Sequence, residues 1–165
     1  MLICFFDIIG LVHFEFVPQG LTANQQSYPE VLKRLRDAVG RKRPELWRSG
    51  GWLLHHDNAP AHAALSVWQF LAKNGMTTAS HPPPRTRHPA IFFLFPRMKR
   101  DLKGKRFQNA EEVRQNTTEA LKALTLQEFQ NCYEQWKKWW NNCIDSQGEY
   151  FEGDYILKML REIYY

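Results

Sequence analysis

The first hydrophobic pattern in the chain is a run, Leu2-Ile3-Cys4-Phe5-Phe6, that stops at a carboxylate, Asp7. An unbroken apolar run of this length predicts a central strand buried on both faces. Ile8-Ile9-Gly10 follows as a turn, with Gly10 free to take positive φ. From Leu11 to Val17 the pattern changes to alternation: Val12, Phe14 and Phe16 point one way, His13 and Glu15 the other. Together the two segments predict a hairpin whose first strand delivers Asp7 to its end. Pro18 to Asn24 is a connection with room for a short third strand.

The periodicity then becomes helical. Ser27-Tyr28-Pro29-Glu30 opens a helix, with Ser27 as its cap and Pro29 and Glu30 suited to the first turn. Tyr28, Val31, Leu32, Leu35, Ala38 and Val39 form its apolar stripe, and Gly40 is expected to stop it. Pro44 and Gly50-Gly51 mark a loop. The cations Lys33, Arg34, Arg36, Arg41, Lys42 and Arg43 read as a solvated face. Trp52 to Leu54 predicts a short buried strand that leads to Asp57. Asn58 and Pro60 turn the chain into a helix from about Pro60 to Asn74, with Ala61, Ala64, Leu65, Trp68, Leu71 and Ala72 inward and Gly75 as C-cap. Met76 to Ser80 predicts one more strand. This order of hairpin, helix, strand, helix, strand is that of a mixed α/β sheet with helices against its faces.

His81 to Pro89 is proline-rich and basic and excludes both a helix and a central strand. Ile91-Phe92-Phe93-Leu94-Phe95 is apolar enough to require burial or a partner. Arg97, Lys99, Arg100, Lys103, Lys105 and Arg106 then fall within ten residues, opposed only by Asp101. A helix follows, capped by Asn109, with Glu111 and Glu112 in its first turn and Val113, Thr117, Ala120, Leu121 and Leu124 inward. Thr125-Leu126-Gln127-Glu128 has the spacing of a capping box. The helix it opens carries Phe129, Cys132, Tyr133, Trp136, Trp140 and Cys143 on one side, a stripe that reads as core, and Gly148 is expected to end it. A last short helix fits the tail from Tyr150 to Tyr165.

Composition changes this picture in few places. The 165 residues, 44% of them hydrophobic, suffice for one domain with its own core, and no internal repeat or linker divides them. The net charge of +5 favours a polyanionic partner. Cys4, Cys132 and Cys143 are odd in number and form no CxxC pair, which argues against a disulfide framework or zinc ribbon and for a reducing compartment. The apolar start lacks a basic n-region and a small-residue cleavage site, and no run is long enough to span a bilayer. A nuclear or cytoplasmic protein is expected, neither secreted nor membrane-bound.

Two carboxylates therefore end two predicted strands, Asp7 and Asp57, and such positions suit a ligand or metal. Each also has a plain structural reading, as a turn residue and as a helix cap. A zinc site on His55, His56, Asp57 and His62 is disfavoured, because His56 and Asp57 face opposite ways along a strand. The basic cluster from Arg97 to Arg106 is the best candidate for phosphate contacts.

The order His56-Asp57-Asn58-Ala59-Pro60-Ala61-His62 after an apolar strand resembles the second catalytic motif of mariner-type transposases of the Tc1/mariner superfamily, those of vertebrate mariner-like elements above all. The resemblance extends to Leu2–Asp7, Gly10-Leu11-Val12-His13, Phe92–Arg97, Gly104–Phe107 and Cys143–Glu152. It implies an RNase H-like α/β fold with a helical C-terminal part, spanning 1–165 as a single catalytic domain. It also implies DNA as partner, strand cleavage and transfer as chemistry, and three aspartates holding two divalent ions, Mg²⁺ or Mn²⁺. Asp7 and Asp57 match the first two aspartates. The third falls on Ile91, which has no oxygen to offer, and Arg85-Thr86-Arg87 occupy a segment that is one residue shorter than the family pattern. No Asp or Glu lies between Asp57 and Asp101. The helix-turn-helix region that precedes the family's catalytic domain is expected to be absent, and with it sequence-specific end recognition. The resemblance thus leads to a degenerate, inactive catalytic domain with residual non-specific DNA binding, and is compatible with a homodimer. The alternatives are a domesticated protein- or nucleic-acid-binding module and a relic reading frame.

Overall fold

The computed structural model describes residues 1–56, 59–79 and 88–146. Contacts group the chain into two compact units, Met1–Asp7 with Leu11–His81, and Ile8–Gly10 with Pro82–Tyr165.

The first unit is built on a hairpin, β1 (Leu2–Asp7) and β2 (Gly10–Phe16), which form a two-stranded antiparallel sheet. Gly10 takes φ +137, a conformation open to glycine at little cost. Every residue of β1 is half-buried. The expectation of a strand buried on both faces is thereby corrected: a sheet of two strands packs Ile3, Phe5 and Val12 against the core and leaves the rest partly accessible. No strand forms between Pro18 and Asn24; that stretch is a turn.

Helix α1 (Tyr28–Lys42) buries the stripe its periodicity predicts: Tyr28, Val31, Leu32, Leu35, Ala38 and Val39. Two details differ. Ser27 makes no side-chain cap; Asn24 does the work, its Oδ1 accepting from the N–H groups of Gln26 and Ser27 at 2.9 and 3.0 Å. Gly40 does not stop the helix; the Trp47 ring lies alongside it, 3.7 Å from where a Cβ would sit. Arg36 lies over the same ring, 4.7 Å from its centroid. Trp47 belongs to α2 (Pro44–Ser49), a short helix where a loop was expected. Pro44 drives Arg43 out of helical geometry (φ −133, ψ 57), so α1 ends and α2 begins at that one residue.

The two predicted inner strands shrink to one parallel bridge between Leu54 and Thr78. The Leu54 N–H donates to the Thr77 carbonyl and the Ala79 N–H to the Leu54 carbonyl, both at 2.9 Å. Helix α3 (Leu65–Lys73) starts later than expected, after a turn at residues 59–64. Its inward residues are Val67 and Leu71, whereas Leu65 and Trp68 are 72% and 52% exposed. Leu71 could be joined inward either by Leu65 and Trp68 or by Val67, and helical spacing cannot rank these choices; the branched Val67 is the one that fits the core. Gly75 follows the helix with φ +62, as its sequence position implied. Val12, the α1 stripe, Leu54, Val67, Leu71 and Met76 make one cluster.

In the second unit, a π-helical turn (Ala90–Leu94) runs into α4 (Phe95–Leu102), followed by α5 (Ala110–Lys122) and α6 (Leu126–Asp145). Of the apolar run at 91–95, Leu94 is fully buried and Phe93 meets Phe129 edge-on at 5.7 Å, while Ile91 is 54% exposed. The predicted caps form. Asn109 Oδ1 accepts from the Glu112 N–H at 2.8 Å, and Thr125 and Glu128 close a capping box. On α5 Thr117, Ala120 and Leu121 are buried but Val113 is not. On α6 the buried residues are Phe129, Cys132 and Trp139, and Trp139 lies outside the stripe the sequence suggested. Tyr133, Trp136 and Trp140 form an edge-to-face row instead. Gly148 and the tail fall outside the described residues; among the described residues, no helix is long and apolar enough to cross a membrane.

Arg97 ties this unit together. Its Nε donates to Glu128 at 2.6 Å and its Nη1 to Asp101 one turn away, so α4 is fastened to the start of α6. The Thr125 backbone N–H and the Arg97 guanidinium hold the Glu128 carboxyl below its ordinary value of 4.5.

Three outcomes follow from this packing. Leu32→Ala, which empties a site with no exposure, lowers stability by about 2–5 kcal/mol in chemical denaturation. Because the Glu128 value is depressed on folding, its contribution is present above pH 4.5 and is lost as pH falls below it. Glu128→Gln therefore flattens the acid limb of the stability profile, read as Tm against pH. Burial pushes the Cys4 and Cys132 thiols up to about 12, the Lys42 charge opposing it in part at Cys4. Both resist alkylation at neutral pH until the protein is unfolded, as mass spectrometry of iodoacetamide-treated protein checks.

Candidate functional site

Asp7 is brought to the end of β1 as the sequence implied, but its neighbour was not anticipated. Both of its carboxylate oxygens accept from Arg43: Nε reaches Oδ2 at 2.6 Å and Nη2 reaches Oδ1 at 2.9 Å. The remaining terminal nitrogen of the guanidinium, Nη1, donates to the Lys42 carbonyl at 3.0 Å. This is a two-point fork between planar groups, the strongest geometry open to an ion pair. The hydrogen bond to Asp7 raises the Arg43 value above its ordinary one. Arg43 is thus no part of a solvated face. The signal available was Pro44, which marks Arg43 as the residue where the helix must break.

Two further cations of α1 reach the same hairpin. Arg34 donates to Glu15 through Nε and Nη2 at 2.7 and 2.8 Å, and Lys42 Nζ donates to the Leu11 carbonyl at 3.2 Å. The Arg34 hydrogen bond, aided by His13, keeps the Glu15 carboxyl below its usual value against a smaller opposing effect of burial.

Asp57 lies outside the described residues, as do Arg85, Thr86 and Arg87. Of the residues around Asp57, His56 and His62 are described. The His56 and His62 rings stand perpendicular with centroids 4.9 Å apart, and the His62 ring lies 4.2 Å from that of the buried Tyr28. These two histidines therefore lie beside Tyr28, the first residue of α1.

In the second unit, Ile91 projects partly into solvent from the π-helical turn. The six cations of the basic cluster divide. Arg97 is engaged by Asp101 and Glu128. Lys99, Arg100, Lys103, Lys105 and Arg106 are exposed, the first two on α4 and the others along the loop after it. Arg97 at four residues from Asp101 was the readable sign that it would be held back.

The described donors do not assemble a site for a divalent ion. Asp7 has both oxygens turned to Arg43, Ile91 contributes none, and among the described residues no group of three His, Cys, Asp or Glu side chains gathers.

Comparison with known proteins gives these features a context. Residues 1–49, which include Asp7 and Arg43, match the family described as Transposase (partial DDE domain). Over 92% of its length the chain is 29% identical to the Mariner Mos1 transposase of Drosophila mauritiana, covering 45% of that protein. To the human histone-lysine N-methyltransferase SETMAR it is 26% identical over 92% of the chain and 22% of the relative. It spans less than half the length of these curated relatives. The crystal structure of the catalytic domain of Mos1 superposes with a TM-score of 0.80 at 28% identity, covering 92% of this chain and 75% of that one. That domain has also been solved with Raltegravir and either Mg or Mn, at the same TM-score of 0.80. In the Mos1 paired-end complex with left transposon end the TM-score is 0.81, at 29% identity over 92% of this chain and 44% of that one. Divalent metal and transposon-end DNA are thus features of the Mos1 protein. The mixed α/β chain described here is a relative of the mariner-type transposases, and what it shares with them is their RNase H-like catalytic domain.

Proposed function

We propose that the chain binds DNA without sequence preference and no longer performs the strand cleavage of its relatives. The observation that carries the first half is the row of exposed cations, Lys99, Arg100, Lys103, Lys105 and Arg106. The paired Arg97 anchors α4 so that its neighbours stay in solvent, where they suit a phosphate backbone. Contacts to phosphate position a protein on DNA but carry no base information, so the binding is general and weak. The second half is supported by the chemistry of the donors. Asp7 and Asp57 are the carboxylates the family resemblance assigns to metal, yet Asp7 is paired with a cation and Ile91 stands where a third carboxylate is needed.

A fluorescence titration with a non-specific duplex across salt concentrations tests the binding. The expected slope of log K on log salt is about −3.5, the value for some four neutralised phosphates at roughly −0.9 each. Replacing Lys99, Arg100 and Lys103 together by Gln reduces that slope by about 2–3 and weakens low-salt binding at least about tenfold. Absence of binding at low salt overturns the DNA reading. A nicking assay with Mg²⁺ or Mn²⁺ tests the rest: no cleavage is expected, and robust cleavage that disappears in Asp57→Ala overturns the claim of inactivity.

A further inference from the structure

The DNA reading rests on the second unit; the Asp7–Arg43 pair in the first carries a separate conclusion. We propose that the Arg43 guanidinium is the resident counter-cation of Asp7, taking the place of the divalent ion that the family resemblance implies. The pair then serves as a clamp between β1 and the α1–α2 junction.

Four observations bear on this. The fork uses both oxygens of Asp7, so a metal ion and the guanidinium compete for the same lone pairs. The guanidinium is held on its other side by the Lys42 carbonyl, and its side chain is only 13% exposed against 25% for Asp7. A cation in such a setting is poorly screened and repels a second one strongly. The root of the side chain is also fixed. The Arg43 N–H donates to the Val39 carbonyl at 2.8 Å and closes α1, while its own carbonyl accepts from the Trp47 N–H at 2.9 Å and opens α2. Pro44 enforces the break between them. Finally, Lys42 and Arg34 fasten the same helix to the same hairpin, so the strand and the helix end that carry the pair are held together by other bonds as well.

Lysine cannot reproduce this arrangement. It supplies the charge but not the planar fork that meets both oxygens at once. The clamp is therefore a matter of geometry as well as of charge.

The test uses the full chain and two readouts, Tm and uptake of Mn²⁺ followed by loss of the free-ion electron paramagnetic resonance signal. The wild type is expected to show the same Tm with and without Mn²⁺, and the same uptake as Asp7→Asn. Arg43→Lys is expected to lower Tm by roughly 5 °C despite its retained charge. Arg43→Gln is expected to be less stable still, to gain Mn²⁺ uptake, and to lose that gain in the double variant Asp7→Asn/Arg43→Gln. Mn²⁺ uptake by the wild type that Asp7→Asn abolishes would overturn the proposal, as would an Arg43→Lys protein as stable as the wild type. Should Arg43→Gln fail to fold, the comparison of wild type with Asp7→Asn and Arg43→Lys decides the matter. None of these results depends on DNA, so the clamp and the DNA reading stand or fall separately.

Discussion

The first unit depends on the burial of one face of α1. Six of its side chains, from Tyr28 to Val39, are almost without exposure, and the hairpin, the Leu54–Thr78 bridge and α3 all contribute to the cluster they form. Burying a large aliphatic or aromatic side chain contributes about 1.5–3 kcal/mol. The net worth of an ion pair is smaller, because desolvation cancels much of the attraction. The stripe therefore supplies the driving force, and the cations supply register. Arg34 and Lys42 on α1 and Arg43 just past its end face the hairpin, and each has a different partner there: Glu15, the Leu11 carbonyl and Asp7. A helix turned about its axis would keep some apolar burial but lose all three.

The second unit solves the same problem with other means. Its helices are started by side chains, Asn109 for α5 and Thr125 with Glu128 for α6. Glu128 then serves twice, once in its capping box and once as a partner of Arg97. That double use links the start of α6 to the basic helix α4. It also explains how a cluster of like charges stays ordered: one member is neutralised, and the others are presented along a helix and a loop rather than folded against it.

What the sequence disclosed follows the physics of each signal. Where a residue can do only one thing, the reading and the structure agree. The α1 stripe, the turn at Gly10, the Asn109 cap and the Thr125–Glu128 box are of that kind. Where a segment offers two equivalent patterns, periodicity cannot choose, as on α3, where Leu71 is buried as expected but beside Val67 rather than Leu65 or Trp68, or on α6 where Trp139 is buried. Single residues also change meaning with their partners. Gly40 suggested an end, yet it sits inside α1 beside the Trp47 ring, and Pro44 suggested a loop although it suits the first turn of α2. Of the candidate site, the position of Asp7 was legible from strand and turn. Its pairing was not, since it joins residues 36 apart in the chain.

Ile91 separates scaffold from chemistry most clearly. A hydrophobic residue that replaces a catalytic carboxylate can be explained as stabilising if its side chain enters the core. Here the core beside it is filled by its neighbours: Leu94 is without exposure and Phe93 packs on Phe129, while Ile91 itself is more than half exposed. Its burial is therefore slight, and the packing of the second unit gives no reason for an isoleucine at this position. Asp7 presents the converse. Its carboxylate remains and is used, but by an arginine that joins strand to helix. A charged residue can thus carry a structural role in the fold whatever its chemical one, so its presence alone does not assign function. On this argument retention of Asp7 in a chain of this kind is no sign of retained catalysis, and a carboxylate at position 91 would be the more telling one.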